Sequence, residues 1–365
     1  MSSLVIQGDT SGSITVEAPS VAGTHTLTLP KATGNIATDA TVGLGTKNLI
    51  INGDMRIDQR NAGASLTVNT AAVVYSVDRL FTYGQASDGV FTVQQVTDAP
   101  SGFINSVKAT VTTADASIGA SQLYILSHKI EGNNIAHLDW GTANAKTVTL
   151  SFWVKSSLTG TFSGSLKNHD GSRAYPFTYT ISSANTWEKK TITITGDTTG
   201  TWLTTNATGI TLSFTLGSGS SRLGTANTWN AANLDGATGT TEVIATNGAT
   251  FYLTGLQLEV GENATPFEYR MYSQELAMCQ RYYQDIGRAL FREYTENTGF
   301  PQHPMLYGTT MRGTPTSTLS ISNSGNIDDA TFITYSRTSG YLSVNPTSGG
   351  AVVFIDYTIT LDAEL

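Results

Sequence analysis

The chain has a single cysteine, Cys279, in 365 residues, so no internal disulfide framework holds it together. Charge is also scarce. Charged residues make up 13% of the chain and the formal net charge is −8. The densest basic spot is Lys189-Lys190, so the chain lacks the basic face that displaces counterions from nucleic acid. No apolar run approaches the roughly 18 residues that cross a bilayer as a helix, which argues against membrane insertion. The start, Met1-Ser2-Ser3-Leu4-Val5, lacks the basic region and apolar stretch of a secretory signal. No unit of roughly 20–50 residues repeats, which argues against a solenoid.

What is present points to strands. Hydrophobic residues are 39% of the chain, too many for disorder. The polar remainder is largely Thr, Ser, Asn and Gly. Thr is β-branched and favours strands, whereas Gly, Asn and Ser favour turns. With 36 glycines and 9 prolines the chain has many corners, and the expected class is all-β.

Four regions follow from the patterning. Residues 1–46 carry short strand signals, Leu4-Val5-Ile6, Ser13 to Glu17 and Thr26 to Leu29. The segment is too short for a core of its own and reads as an assembly or anchoring piece. Residues 47–268 read as one β-sandwich of jelly-roll type. Leu150, Phe152 and Val154 alternate, as do Phe177, Tyr179 and Ile181. So do Ile192 with Ile194, Leu212 with Phe214 and Leu216, and a last stripe of Tyr252, Leu256 and Leu258. Residues 269–298 read as a helical segment. Tyr272, Leu276, Cys279, Tyr283, Ile286 and Leu290 fall at alternating steps of four and three, a heptad seam. Gly287 weakens it. The seam must pack on copies of itself or on the flank of the sandwich. Residues 299–365 read as a small C-terminal β-domain, closing on the period-two run Val353, Ile355, Tyr357, Ile359 and Leu361.

Three stretches carry a resemblance. They are Asn48 to Ile57 with Asp78-Arg79; Leu150 to Lys155 with Trp187 to Thr191; and Gly255 to Gly261 with Ala264 to Glu268 and Cys279 to Tyr283. The set resembles phage tail-fibre and related structural proteins, particularly those of marine and cyanobacterial phages. The leader, with Leu27 to Pro30 and Thr33-Gly34, resembles their virion-proximal ends. The middle region is similar to a jelly-roll carbohydrate-binding module. The resemblance implies a homotrimer with an adhesive or scaffolding role. It also implies a structural calcium near the first strand of the module, where Asp54 is the nearest oxygen ligand. No other cofactor is expected.

Glycan hydrolysis needs two carboxyls roughly 5–10 Å apart across the scissile bond. Asp139, Asp170, Glu188, Asp235 and Glu242 are scattered, and their spacing marks no pair. The histidines, His25, His128, His137, His169 and His303, match no zinc spacing. No nucleophile-elbow or phosphate-loop pattern occurs, so an enzyme is not expected. Sugars stack on aromatic rings, and polar groups read their hydroxyls. Trp153 falls on the strand face opposite Leu150, Phe152 and Val154, and is a binding or subunit-contact candidate. The loop Asn168 to Arg173 places His169, Asp170 and Arg173 beside Tyr175 and is a second candidate. Trp202 and Trp229 stand in polar surroundings and are added to the list, whereas Trp187 reads as core.

The expectation is a non-enzymatic, homotrimeric phage tail fibre that contributes to host-surface glycan recognition. Its location would be the virion, with residues 1–46 meeting other virion proteins. A head-fibre, decoration or connector protein is the second reading, and a glycan depolymerase the third.

Overall fold

The computed structural model describes residues 3–7, 13–17, 47–69, 71–84, 88–295, 301–347 and 351–365. The chain falls into two units, Met1–Leu44 and Gly45–Leu365. In the first, β1 (Ser3–Gln7) and β2 (Ser13–Glu17) pair antiparallel, with Val5 opposite Thr15. The strand signal at Thr26–Leu29, the remaining leader motifs and His25 lie outside the described residues.

The second unit opens with a sandwich. Its strands are β3 (Leu66–Val68), β4 (Val73–Val77), β5 (Leu80–Gly84), β6 (Val90–Val96), β7 (Ser106–Thr113) and β8 (Leu123–Glu131). There follow β9 (Val148–Ser156), β10 (Gly160–Lys167), β11 (Ala174–Ile181), β12 (Glu188–Ile194) and β13 (Thr208–Ser218). A two-residue parallel ribbon, β14 (Leu223–Gly224) with β15 (Gly236–Ala237), precedes the long β16 (Thr250–Val260). Two six-stranded sheets result, in the orders β11-β10-β13-β8-β5-β4 and β12-β9-β16-β7-β6-β3. They face each other across one continuous core. Alternation explains it: Leu150, Phe152 and Val154 of one sheet meet Phe162, Phe177, Tyr179 and Phe214 of the other. Burying each such phenylalanine contributes about 2–3 kcal/mol.

One stripe changes phase. Between Thr254 and Gln257 the pairing of β16 with β9 slips by a bulge, where Gly255 has φ +63°. Phe251 and Leu253 face inward before it, and Leu256 and Leu258 after it. Tyr252, expected in the stripe with Leu256 and Leu258, therefore lies on the outer face. A Cβ at Gly255 would stand 2.9 Å from the rings of both Phe103 and Trp153, so glycine is required by space as well as by φ.

The expected helix is shorter than its heptad pattern. Helix α1 spans Tyr272–Gln280. The chain then turns into β17 (Tyr283–Thr295), followed by β18 (Gln302–Leu306), β19 (Thr316–Gly325), β20 (Ile327–Thr334), β21 (Ser339–Pro346) and β22 (Ala351–Asp362). These form two three-stranded sheets, β17-β22-β19 and β18-β21-β20, around a core of their own. The C-terminal sheets thus begin at Tyr283 rather than at 299. No continuous seam exists. Tyr272 is exposed, Leu276 and Cys279 pack on the sandwich side, and Tyr283 and Ile286 belong to a strand. Leu290 is 65% exposed on that strand's outer face. The reason is the partner. The strictly alternating β22 pairs with β17 along its whole length, and Tyr283, Phe291 and Tyr294 suit a pleated surface. Gly287, unfavourable in a helix, has φ +79° beside the bulge that keeps the two strands in register.

Helix α1 docks on the leading segment 47–57, and the residues that carried the sequence resemblance make the joint. Asn48 donates to the Leu256 carbonyl (2.9 Å) and accepts from the N–H groups of Ile50 and Leu258. Glu268 accepts from the Asn48 N–H (2.8 Å). Arg270 donates to the carbonyls of Ile50 and Asn48 and pairs with Glu268 and Glu275. The Asn52 side chain donates to the carbonyls of Ile57 and Asp78. Cys279 and Tyr282 pack on Ile51 and Ile57. Arg79, 1% exposed, lies 3.6 Å from the Tyr282 ring centroid and pairs with Glu364.

Candidate functional site: a groove on the outer face of one sheet

The sheet β11-β10-β13-β8-β5-β4 carries small side chains along the middle of its outer face. Register sets Phe81, Ser127, Ser213 and Ser165 in one row across four strands. The next row is Lys129, Thr211 and Lys167. Adjacent strands lie about 4.8 Å apart, so larger residues flank a trough over the fully buried Ser127 and Ser213, with the half-buried Thr211 beside them. Ser127 and Ser213 share a hydrogen bond of 2.6 Å. The trough encloses about 260 Å³, with Leu123, Ile125 and Phe81 as its apolar part.

Two loops wall its polar end. One is Asn168 to Gly171. The Asn168 side chain accepts from the Arg173 N–H and donates to Ser172 Oγ and the Thr201 carbonyl, which fixes the loop. The other wall is the ribbon segment bearing Arg222, Asn233 and Asp235, tied by the Asp235 N–H to the Arg222 carbonyl (2.7 Å). The walls touch at Gly171, φ +72°, where a Cβ would lie 2.7 Å from Asn233 Cγ.

The charges there are arranged unequally. Asp235 is fully buried and accepts from Lys167 Nζ through Oδ1, and Lys167 also donates to Asn233 Oδ1 (3.1 Å). Asp235 Oδ2 has no hydrogen-bond partner among the described residues, and Arg222 Nη1 stands 3.8 Å from it. Asp170 is occupied by the N–H and hydroxyl of Ser172 (2.9 and 2.7 Å), which hold its carboxyl below the usual range. Burial lowers the Lys129 ammonium pKa, and the neighbouring cations Arg79, Arg312 and Lys167 lower it further.

The structure sorts the candidates. His169 and Asp170 line the groove. Arg173 does not: it makes a bidentate pair with Asp197 (2.7 and 2.8 Å). Tyr175, Trp202 and Trp229 leave the list of surface rings. Trp140, Trp202 and Trp229 pack edge to face at 4.6–5.5 Å, and Tyr175 meets Trp229 at 5.2 Å. This cluster belongs to the sandwich core. Its indole N–H groups donate to backbone carbonyls of Lys146, Thr199 and Thr195, which explains tryptophans among polar sequence neighbours.

Trp153 is half-buried on the outer face of the opposite sheet. Trp187, expected in the core, is also half-buried there. It donates to Asp98 Oδ1 (3.1 Å) and flanks Lys155, which stacks on Tyr252 at 4.2 Å. That aromatic face is already filled by its own lysine. Asp54, the expected calcium ligand, is paired with Arg56 at 2.7 Å. Among the described residues no three His, Cys, Asp or Glu side chains gather as a metal site. The residues missed in sequence are Lys167, Arg222, Asn233, Ser127, Ser213 and Phe81. Only Lys167 had a local signal, beside the Asn168 to Arg173 loop.

Among the other carboxylates, Glu188 caps the N–H groups of Ser182 and Ser183 and pairs with Lys190, while Asp139 pairs with Lys146 at the surface. Burial pushes the Glu242 carboxyl up to about 7, opposed only by the N–H of Ser218. The folded state therefore holds this proton more tightly than the unfolded chain. Stability falls as pH rises from 4.5, the ordinary value, to about 7. Glu242→Gln should flatten this slope and stabilise the protein by about 2 kcal/mol at pH 8, but not at pH 4. Urea unfolding at the two pH values checks it.

No family model matches the chain, and no curated protein matches significantly. Solved structures do. One is the enzymatically active domain of tailspike protein 4 from bacteriophage CBA120, at 14% identity and TM-score 0.31. That match covers 59% of this chain but only 22% of the tailspike chain. Another is a family 4 carbohydrate-binding module at 17% identity and TM-score 0.28, covering 57% of this chain and 98% of the module. The family 11 module of a Clostridium thermocellum cellulase matches at 12% identity and TM-score 0.27, over 56% of this chain and all of the module. At these identities and scores the likenesses add nothing to the β-sandwich architecture read from the two sheets.

Proposed function

We propose that the chain binds glycans through the groove on the β11-β10-β13-β8-β5-β4 sheet, without cleaving them. The observation that carries this reading is the groove itself, with an apolar strip beside hydroxyls, an amide and paired charges at one end. That combination suits saccharide, whose C–H faces are apolar and whose rims are hydroxyls. Asp170 is engaged by Ser172 and one oxygen of Asp235 is held by Lys167, which suits binding better than acid–base chemistry. A glycan array probed with the full chain tests the reading. Retention of oligosaccharides without new reducing ends is the expected result, and new ends would replace binding by depolymerisation.

The wider role, a phage fibre at the virion surface that meets other virion proteins through residues 1–46, rests on the sequence resemblance. So does the homotrimer, because the helical seam that gave it a separate argument is not formed. Light scattering tests it. A native mass near three chains supports a fibre, in which weak sites gain from effective concentration. A monomer shifts the role toward a decoration or connector protein.

A further inference from the structure

We infer that Asp235, Lys167 and Arg222 form a subsite that reads a hydroxyl of a neutral sugar and disfavours an acidic one. The inference rests on the groove reading and specifies its ligand.

Asp235 has no solvent exposure, and its Oδ2 has no hydrogen-bond partner among the described residues. An unsatisfied buried carboxylate oxygen is costly, and such atoms are rare enough to need an explanation. Packing alone does not supply one. Asp235 lines the groove, and its other oxygen is held by Lys167, itself fixed by Asn233. The carboxylate is thus kept in place with one acceptor unfilled.

What fills that acceptor must be a donor. A cationic ligand is disfavoured, because Lys167 and Arg222 already stand beside the carboxylate. A ligand carboxylate offers only acceptors and would meet Asp235 as a like charge. A hydroxyl is both donor and acceptor. It can donate to Asp235 Oδ2 and accept from Arg222, whose guanidinium has no side-chain hydrogen bond among the described residues and stands 3.8 Å from that oxygen. A second hydroxyl on the adjacent ring carbon can accept from Lys167. The rest of the ring would lie along the Ser213–Thr211 floor toward Phe81. The subsite therefore selects a neutral pyranose with free adjacent hydroxyls, and a uronic acid only where its carboxylate points elsewhere.

The experiment is isothermal titration of the full chain with neutral gluco-, galacto- and manno-oligosaccharides, and with galacturonate and mannuronate oligosaccharides of equal length. At least one neutral series should bind, and its uronate counterpart about tenfold more weakly. Asp235→Asn should weaken binding of the neutral ligand by about tenfold, the worth of one charge-assisted hydrogen bond. Arg222→Gln, a partly exposed site, should weaken it about threefold with an unchanged melting curve. If Asp235→Asn fails to fold, Arg222→Gln and the neutral-to-uronate ratio decide. Neutral-ligand binding at wild-type strength in either folded variant would mean that the ligand does not complete Asp235. That result, or a preference for uronates, overturns the inference and leaves the groove reading intact. No binding of any oligosaccharide overturns both.

Discussion

Glu131→Ala should destabilise the protein by about 3 kcal/mol, because it removes the anion on which three side chains converge with four hydrogen bonds at the joint. Glu131 is 1% exposed. It accepts from Arg281 Nε and Nη2 (2.9 and 2.6 Å), Tyr282 Oη (2.7 Å) and Asn133 Nδ2 (2.8 Å). Burial works to raise its pKa, and the bonds from Arg281 and Tyr282 outweigh that and bring it below the ordinary value. After substitution Arg281 retains a path to water, since its side chain is 30% exposed. The Tyr282 hydroxyl loses its acceptor in a buried setting. Glu131→Gln, which keeps an acceptor, should lose less. Denaturant unfolding measures both, and a loss under about 0.5 kcal/mol for Glu131→Ala would show that the network does not hold the C-terminal sheets to the sandwich.

A comparable loss is expected from a single added carbon. At Gly53 a Cβ would lie 2.2 Å from the Leu256 carbonyl oxygen. That oxygen accepts from Asn48 Nδ2, and the Leu256 N–H donates to the Gly53 carbonyl (2.9 Å). Gly53→Ala must push the leading segment off β16 and break one or both bonds. The expected cost is about 2–4 kcal/mol, from overpacking plus a buried hydrogen bond. Gly248→Ala is the control. It has φ +77° but nothing within 4 Å of its Cβ, so it reports backbone strain alone, about 1 kcal/mol. Equal losses at the two sites would remove the steric argument.

Gly53 lies in a stretch that stood out in the sequence and Glu131 does not, a contrast that shows what a local pattern can carry. The alternation of Leu150, Phe152 and Val154, and of Val353 to Leu361, placed strands and their inner faces, because each face is decided by its own neighbours two residues away. The stretch 283–294 defeated the same method. Tyr283, Ile286 and Leu290 fit a helical spacing, and the strand that captures them, β22, is distant in sequence. Tyr252 was placed on the wrong face because the bulge at Gly255 shifts the phase within one strand. Trp202, Trp229 and Tyr175 were misplaced because their core is made by loops folding over one end of the sandwich. The groove was legible only at His169 and Asp170. Its floor comes from register across β5, β8, β13 and β10, and its wall from a ribbon of two-residue strands, neither of which leaves a local signature.

Under the proposed function, saccharide binds in the groove and not on the aromatic face of the opposite sheet. The direct measurement is titration of a retained oligosaccharide into Thr211→Trp and Trp187→Ala. Thr211 sits mid-floor between Lys129 and Lys167, so a tryptophan there fills the trough from within. Trp187 and its Lys155–Tyr252 stack lie on the far sheet. Loss of binding in Thr211→Trp, with the wild-type melting curve and with Trp187→Ala unaffected, is the predicted result. Binding that survives in Thr211→Trp and disappears in Trp187→Ala would place the saccharide on the far sheet instead.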